Sequence, residues 1–214
     1  MPCTSSAAFS VDPDRRRVFP LPFPYAVRPA VGPDFVVGLR MAMDEDLPDG
    51  LGLEDTLPIA RRYLEHGVDF LSVIKGGLDS DARLAATIPS MGTPSAPFLE
   101  LAGTVRRALG VPVMHAARIG DVATARHAIR DGLLDLVGMT RPQIADPHLV
   151  AKVARGEEDR VRPCVGASFC LDAIYESGDA KCVHNPATGR EQSLPHVIVP
   201  TPGRRRRAVV VGAG

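Results

Sequence analysis

The sequence has no tryptophan, and its aromatic content is only 5%. Its core must therefore be aliphatic, built from Val, Leu, Ile and Ala. Net charge is also lacking: 25 acidic residues balance 25 basic ones. That balance gives no overall electrostatic case for a nucleic-acid or membrane partner. No apolar run approaches the roughly 18 to 20 residues that span a bilayer. The N-terminus lacks the charged start and apolar stretch of a secretory signal. Together these absences predict a cytoplasmic protein. Cysteine is scarce, with four in 214 residues, yet three of the four fall between positions 164 and 182. In a reducing compartment such a cluster is more often metal-binding or redox-active than disulfide-bonded.

What is present is globular in kind: 45% of residues are hydrophobic, enough to oppose disorder. Residues 1–33 are rich in Pro and Arg, without clear periodicity, and are expected to be poorly ordered apart from a short helix near Tyr25 to Ala30. From residue 34 a regular alternation begins. Apolar runs at 35–43, 68–75, 111–119 and 133–140 read as strands buried on both faces. Between and after them, residues 53–67, 98–110, 121–132 and 146–156 have helical spacing and end on Gly. Residues 76–97, with three glycines and three prolines, read as a long loop. Strand–helix repetition of this kind implies right-handed crossovers and a parallel sheet. Both an open doubly wound sheet and a (β/α)8 barrel satisfy it. At the far end, "AVVVGAG" (208–214) reads either as a strand entering a Gly-rich nucleotide-binding turn or as a short apolar tail.

In parallel α/β proteins, ligands gather at the C-terminal ends of strands. Arg40 lies inside an apolar strand, where a charge needs a partner. Either Asp44 or Glu45 neutralises it, or it faces an anionic or electron-rich ligand. Arg118 ends the third strand and Arg141 follows the fourth, with small residues Ala116, Ala117 and Gly138 close by. Two adjacent strand ends bearing arginine suit a phosphate monoester; the alternative is a pair of solvated side chains. Lys75 is a strand-end contact or an exposed lysine, and His115 a core residue or a ligand contact.

The stretch "RPCVGASFCLDAIYESGDAKCVHNP" contains Cys164, Cys170 and Cys182, spaced Cys-x5-Cys-x11-Cys. Clustered thiolates bind zinc or iron–sulfur clusters. Zinc sites usually use Cys-x2-Cys pairs, which weakens a zinc-binding regulatory module even with His184 nearby. Three free thiols acting as small hydrophobes is the remaining reading.

Several segments resemble the old yellow enzyme family: "VGLRMAMDED", "VDFLSV", "VPVMHAARI", "DLVGMTRPQIADPHLVAKVARG", "RPCVGASFC" and "CVHNPATGRE". More narrowly, the chain is similar to the branch with trimethylamine dehydrogenase and bacterial 2,4-dienoyl-CoA reductase. The resemblance implies an α/β fold: the C-terminal half, strands five to eight, of an FMN-binding (β/α)8 TIM barrel (34–158). A Cys-rich iron–sulfur-type loop and linker would follow (159–200), then the first strand of a truncated dinucleotide-binding domain (201–214).

By the same resemblance, Arg40 lies at the flavin ring. Ala117 and Arg118 form the phosphate loop after strand seven, Gly138 and Arg141 the loop after strand eight. Cys164, Cys170 and Cys182 match three cluster ligands, while the fourth falls on Ala167. The "CVGA" form is similar to that of dimethylglycine-demethylating proteins, which implies FMN-dependent oxidative demethylation of a small N-methylated amine. The alternatives are an NAD(P)H-dependent enoate or 2,4-dienoyl-CoA reductase, or an inactive remnant or partner subunit. The family's substrate-handling His and Tyr belong to the barrel's first half, so the resemblance assigns no catalytic residue here. It implies a truncated, frameshifted or split gene product, with a homo-oligomer or a complementing N-terminal half barrel as partner. NAD(P) or FAD would bind only to a completed C-terminal domain.

Overall fold

The computed structural model describes residues 22–199, 203 and 207–212. The poorly ordered segment expected over 1–33 therefore lies mostly outside the described residues. Its last part is ordered: helix α1 covers Pro22–Val31. Arg28 anchors it by donating to the carbonyls of Gly67 (3.0 Å) and Phe35 (2.6 Å) and pairing with Asp69. Asp69 also accepts from the Val37 backbone N–H at 2.7 Å. This fastening places strand β1 at Gly38–Asp44, later than the apolar run suggests. Phe35 and Val36 are left 61% and 66% exposed, outside the sheet.

Helix α2 (Leu53–Glu65) and strand β2 (Phe70–Lys75) follow. Helix α3 (Asp81–Thr87) comes next, inside the stretch expected to be loop. Ser80 caps it by accepting from Arg83 N–H, an N-cap chemistry visible in "SDAR". Helix α4 spans Leu99–Leu109 and ends at Gly110; strand β3 is Val113–His115. Helix α5 (Val122–Arg130) is capped by Asp121, which accepts from Thr124 N–H at 2.7 Å. Strand β4 is only Leu136–Val137. Helices α6 (Thr140–Ala145) and α7 (Leu149–Ala154) lead through a 3-10 turn, Glu158–Arg160, to helix α8 (Phe169–Ser177) within the cysteine segment.

The four strands form one parallel sheet in the order β1-β2-β3-β4. With right-handed crossovers and no reversal of order, the connecting helices all fall on one face. That is the pattern of a barrel sheet; a doubly wound sheet reverses order at its switch point. The covered face carries the core. Met43, Leu71, Val73 and Val113 from the strands pack with Ile59, Ala60, Tyr63, Leu99, Ala102 and Val105 from α2 and α4. Strand residues alternate faces, so Arg40, Ser72 and Met114, which share a register row, point to the other side. Across the sheet's end, Arg106 of α4 makes two hydrogen bonds to Asp135, which also accepts from Val113 N–H.

The strand expected over 201–214 lies partly outside the described residues. Residues 207–212 have no strand pairing, and Val209, Val210 and Val211 are 90%, 81% and 94% exposed. A strand needs a neighbour for its backbone groups, and apolar composition alone supplies none. Among the described residues no helix is long and apolar enough to cross a membrane.

Candidate functional site

Arg40 lies on the sheet's uncovered face, Ala117, Arg118, Gly138 and Arg141 follow strand ends, and the three cysteines lie in the loop beyond; His115 does not join them. Arg40 is exposed in the middle of β1. Neither Asp44 nor Glu45 neutralises it. Asp44 is taken instead by Lys75, whose ammonium lies 2.9 Å from Asp44 and 3.1 Å from Asp46. Lys75 is thereby a structural cation, its pKa raised chiefly by the Asp44 hydrogen bond. Arg40 makes no ion pair among the described residues, so its charge stays available on the uncovered face.

His115 is buried at 1% exposure on the helix-covered side. Its Nδ1 lies 2.8 Å from the Val73 carbonyl, and Phe98 packs edge-on against the ring. Nε2 is buried without a hydrogen-bond partner. Burial lowers the His115 pKa, opposed by the Val73 bond and assisted by the positive charge of Arg40. Its Nδ1–H donates to the Val73 carbonyl, and the ring is a neutral core residue.

Beyond β3 the chain turns sharply. Arg118 has φ 51°, a left-handed conformation uncommon outside glycine. Its carbonyl accepts from Ala96 N–H at 3.1 Å and Ser95 Oγ at 3.3 Å, and its Nε donates to the Thr93 carbonyl at 2.7 Å. Beyond β4, Gly138 lies against Ala116 so closely that an added Cβ would sit 2.7 Å from the Ala116 Cβ. This close approach requires glycine and keeps the start of the loop after β4 against the end of β3. Arg141, on α6, donates through Nη1 to the Pro89 carbonyl at 2.8 Å and to Ser168 Oγ at 3.3 Å. Both arginines thus reach the segment 89–93, and neither meets a carboxylate among the described residues. Cations held only by neutral oxygens retain the capacity to bind an anion, so this donor set suits a phosphate-bearing cofactor.

Cys164, Cys170 and Cys182 are free thiols of intermediate exposure that line one small cavity of about 20 Å³ together with Arg141 and His184. That is room for about one water. Among the described residues, no three His, Cys, Asp or Glu side chains are grouped to hold a metal ion. His184 turns its Nδ1 to the Pro163 carbonyl, 2.8 Å away. Ala167 is exposed and offers no ligand. The residues present do not fit a four-cysteine cluster. Burial raises the Cys170 pKa, reinforced by Cys164 and opposed by the Leu171 backbone N–H and the Arg141 guanidinium. Cys182 also borders a wider hollow of about 390 Å³, shared with Lys181, Asn185 and Arg190.

The loop's outer end is tied down by residues that carry no obvious signal in the sequence. Asn185, 1% exposed, donates to the Ile144 carbonyl at 2.9 Å, and Thr188 donates to the same oxygen at 3.2 Å. Buried Asp146 accepts from Arg162 N–H, His148 N–H and the Lys152 ammonium. The one trace of this in the sequence is that Asp146, Lys152, Asn185 and Thr188 fall within the segments "DLVGMTRPQIADPHLVAKVARG" and "CVHNPATGRE".

Residues 10–160 match the NADH:flavin oxidoreductase / NADH oxidase family. The chain is 48% identical over 203 residues to the N,N-dimethylglycine/sarcosine dehydrogenase of Chromohalobacter salexigens, covering 94% of this chain and 29% of that protein. It is 49% identical over 190 residues to a multifunctional alkene reductase/demethylase of Caballeronia cordobensis, covering 88% and 27%. Among solved structures, a 2-naphthoyl-CoA reductase bound to 2-naphthoyl-CoA superposes with a TM-score of 0.81 at 22% identity, covering 94% of this chain and 30% of that one. The chain therefore spans less than a third of the length of these proteins, and the structural likeness shows a shared α/β fold with a parallel sheet.

Proposed function

Since the chain belongs to the NADH:flavin oxidoreductase / NADH oxidase family, we propose that it forms the FMN-holding part of an enzyme that oxidatively demethylates a small N-methylated amine such as dimethylglycine. The observation that carries this reading is the pair Arg118 and Arg141. Both stand just past adjacent strand ends, both touch segment 89–93, and neither meets a carboxylate among the described residues.

In this reading residues 34–158 supply strands five to eight of an eight-stranded barrel, residues 159–200 form the cysteine loop, and residues 201–214 begin a nucleotide-binding unit. Arg118 and Arg141 hold the phosphate, with Ala117 and Gly138 giving their backbones close access. Arg40 would lie at the ring, where its charge would offset the negative charge of the reduced group. Bound FMN supplies the acceptor for the hydride equivalent leaving the N-methyl carbon. No step passes through the cysteines.

The test is a titration of the chain with FMN, followed by anaerobic mixing with dimethylglycine or with NADPH. Bleaching by the amine supports demethylation. A second reading, reduction of an activated alkene by NAD(P)H, is favoured by the dual name of the Caballeronia relative, and bleaching by NADPH alone supports it. Arg118→Ala is expected to weaken FMN binding at least about tenfold, because a charge-assisted hydrogen bond contributes about 1.5–3 kcal/mol. Unchanged binding in that variant would sink the phosphate assignment.

A further inference from the structure

Arg118 and Arg141 each touch two separate stretches of chain. One is segment 89–96; the other is the short turn between Cys164 and Cys170. Arg118 Nη1 occupies the space directly over Gly166. A Cβ built on that residue would lie 2.3 Å from this nitrogen, and 3.3 Å from the Met91 backbone N. Gly166 is buried with φ 74°, a conformation that favours glycine, and a side chain there would have to displace the Arg118 guanidinium. Its carbonyl accepts from Met91 N–H at 2.7 Å. Two residues on, Ser168 has φ 58° and accepts from Arg141 Nη1 at 3.3 Å. Three left-handed residues, Arg118, Gly166 and Ser168, therefore meet where the loop past β3, α6 and the cysteine turn converge.

We propose that Gly166 and Ser168 are positioning residues for Arg118 and Arg141, so that the cysteine cavity and the anion-binding arginines form one coupled unit. The proposal rests on reading the two arginines as the phosphate site. Only residues 165–169 separate Cys164 from Cys170. Whatever enters the cavity and moves those two thiols apart must displace Gly166 and Ser168, and with them the two guanidinium groups. Cys164, Gly166, Ser168, Cys170 and Arg141 all line this one pocket, so an occupant there meets the turn and a guanidinium together. Coupling of this kind is reciprocal: an anion that fixes the arginines also restrains the cysteine turn.

The experiment uses the full chain, FMN and iodoacetamide. Alkylation rates at Cys164, Cys170 and Cys182 are read separately by mass spectrometry, and FMN affinity by quenching of flavin fluorescence. Cys182 lies outside the turn and serves as the gauge of general loosening. Gly166→Ala is expected to speed alkylation of Cys164 and Cys170 about fivefold or more relative to Cys182, and to weaken FMN about tenfold. Ser168→Ala, which removes only a hydroxyl, is expected to shift both readouts the same way by about threefold, and it keeps the test alive if Gly166→Ala fails to fold. Saturating FMN is expected to slow alkylation of Cys164 and Cys170 but not of Cys182.

Suppose Arg118→Ala weakens FMN while Gly166→Ala and Ser168→Ala leave both readouts within twofold of the parent. The coupling is then overturned and the phosphate site stands. If instead the parent chain or Arg118→Ala shows that FMN does not use these arginines, while Gly166→Ala and Arg118→Ala still release Cys164 and Cys170 selectively, the phosphate reading falls and the clamp stands.

Discussion

At Asp146 opposed effects meet in one carboxylate. Burial pushes its pKa up, but Arg162 N–H, the Lys152 ammonium and His148 N–H together hold it below the ordinary 3.8. Asp44 and Asp135 are lowered as well, chiefly by the hydrogen bonds from Lys75 and Arg106. For each of these, the unfolded chain takes up protons first as pH falls. Their stabilisation is therefore complete above about pH 4 and is lost as pH drops through the lowered folded values. Asp146→Ala is expected to cost about 3 kcal/mol, since it leaves the Lys152 ammonium with only the Arg160 carbonyl and strands two backbone donors; urea denaturation at pH 7 measures it. His115 acts in a higher window. Its folded pKa is depressed by burial, so the unfolded state binds the proton more readily below about pH 6.5. Stability is expected to fall as pH drops from about 6.5 toward the folded value, and His115→Asn should flatten that part of the urea-midpoint profile. A midpoint that fell as steeply in the variant would show that another group titrates there.

Among the elements, helices announce themselves better than strands. Asp121 before "VATARHAIR" and Gly110 after "LELAGTVRRAL" mark helix ends that the structure keeps, because caps act locally through backbone donors and acceptors. Asp121→Ala is expected to cost about 1 kcal/mol through loss of the bond to Thr124 N–H, measurable as a lower urea midpoint with unchanged slope. Strands read too long. The run 111–119 pairs only over Val113–His115, and 133–140 only over Leu136–Val137. Apolar character continues past each strand because the following loops are also packed, as buried Ile119 shows. The short helices α3 and α6 are not legible in the sequence, because fewer than two turns carry too few residues for a 3.6 period to stand out.

For the whole molecule, the decisive feature is a sheet covered on one face. Leu71 is fully buried on the covered side, and Leu71→Ala is expected to cost about 2–5 kcal/mol. That is a large part of a typical domain's 5–15 kcal/mol, so the variant should be mostly unfolded at moderate urea concentrations that spare the parent. Val210, 81% exposed in the tail, is expected to tolerate Asp within about 0.5 kcal/mol. A large loss there would mean the tail packs as a strand after all. The barrel-type order also explains why Arg40 carries a free charge in mid-strand: its side chain faces the side where no helix lies.

Local chemistry is what the sequence determined alone: the βα alternation, the caps, the parallel sheet, the family motifs and the absence of a fourth cysteine at Ala167. These depend on neighbours a few residues away, or on residue identity itself. Tertiary structure decided the rest. It gave Asp44 to Lys75, left Arg40 with no ion pair among the described residues, sealed His115 into the helix-covered core, and left residues 207–212 without strand pairing. It also brought Gly166 beneath Arg118 and Ser168 beside Arg141. Such pairings join residues tens of positions apart through distances of about 3 Å, and no spacing pattern along a chain encodes which distant groups will meet.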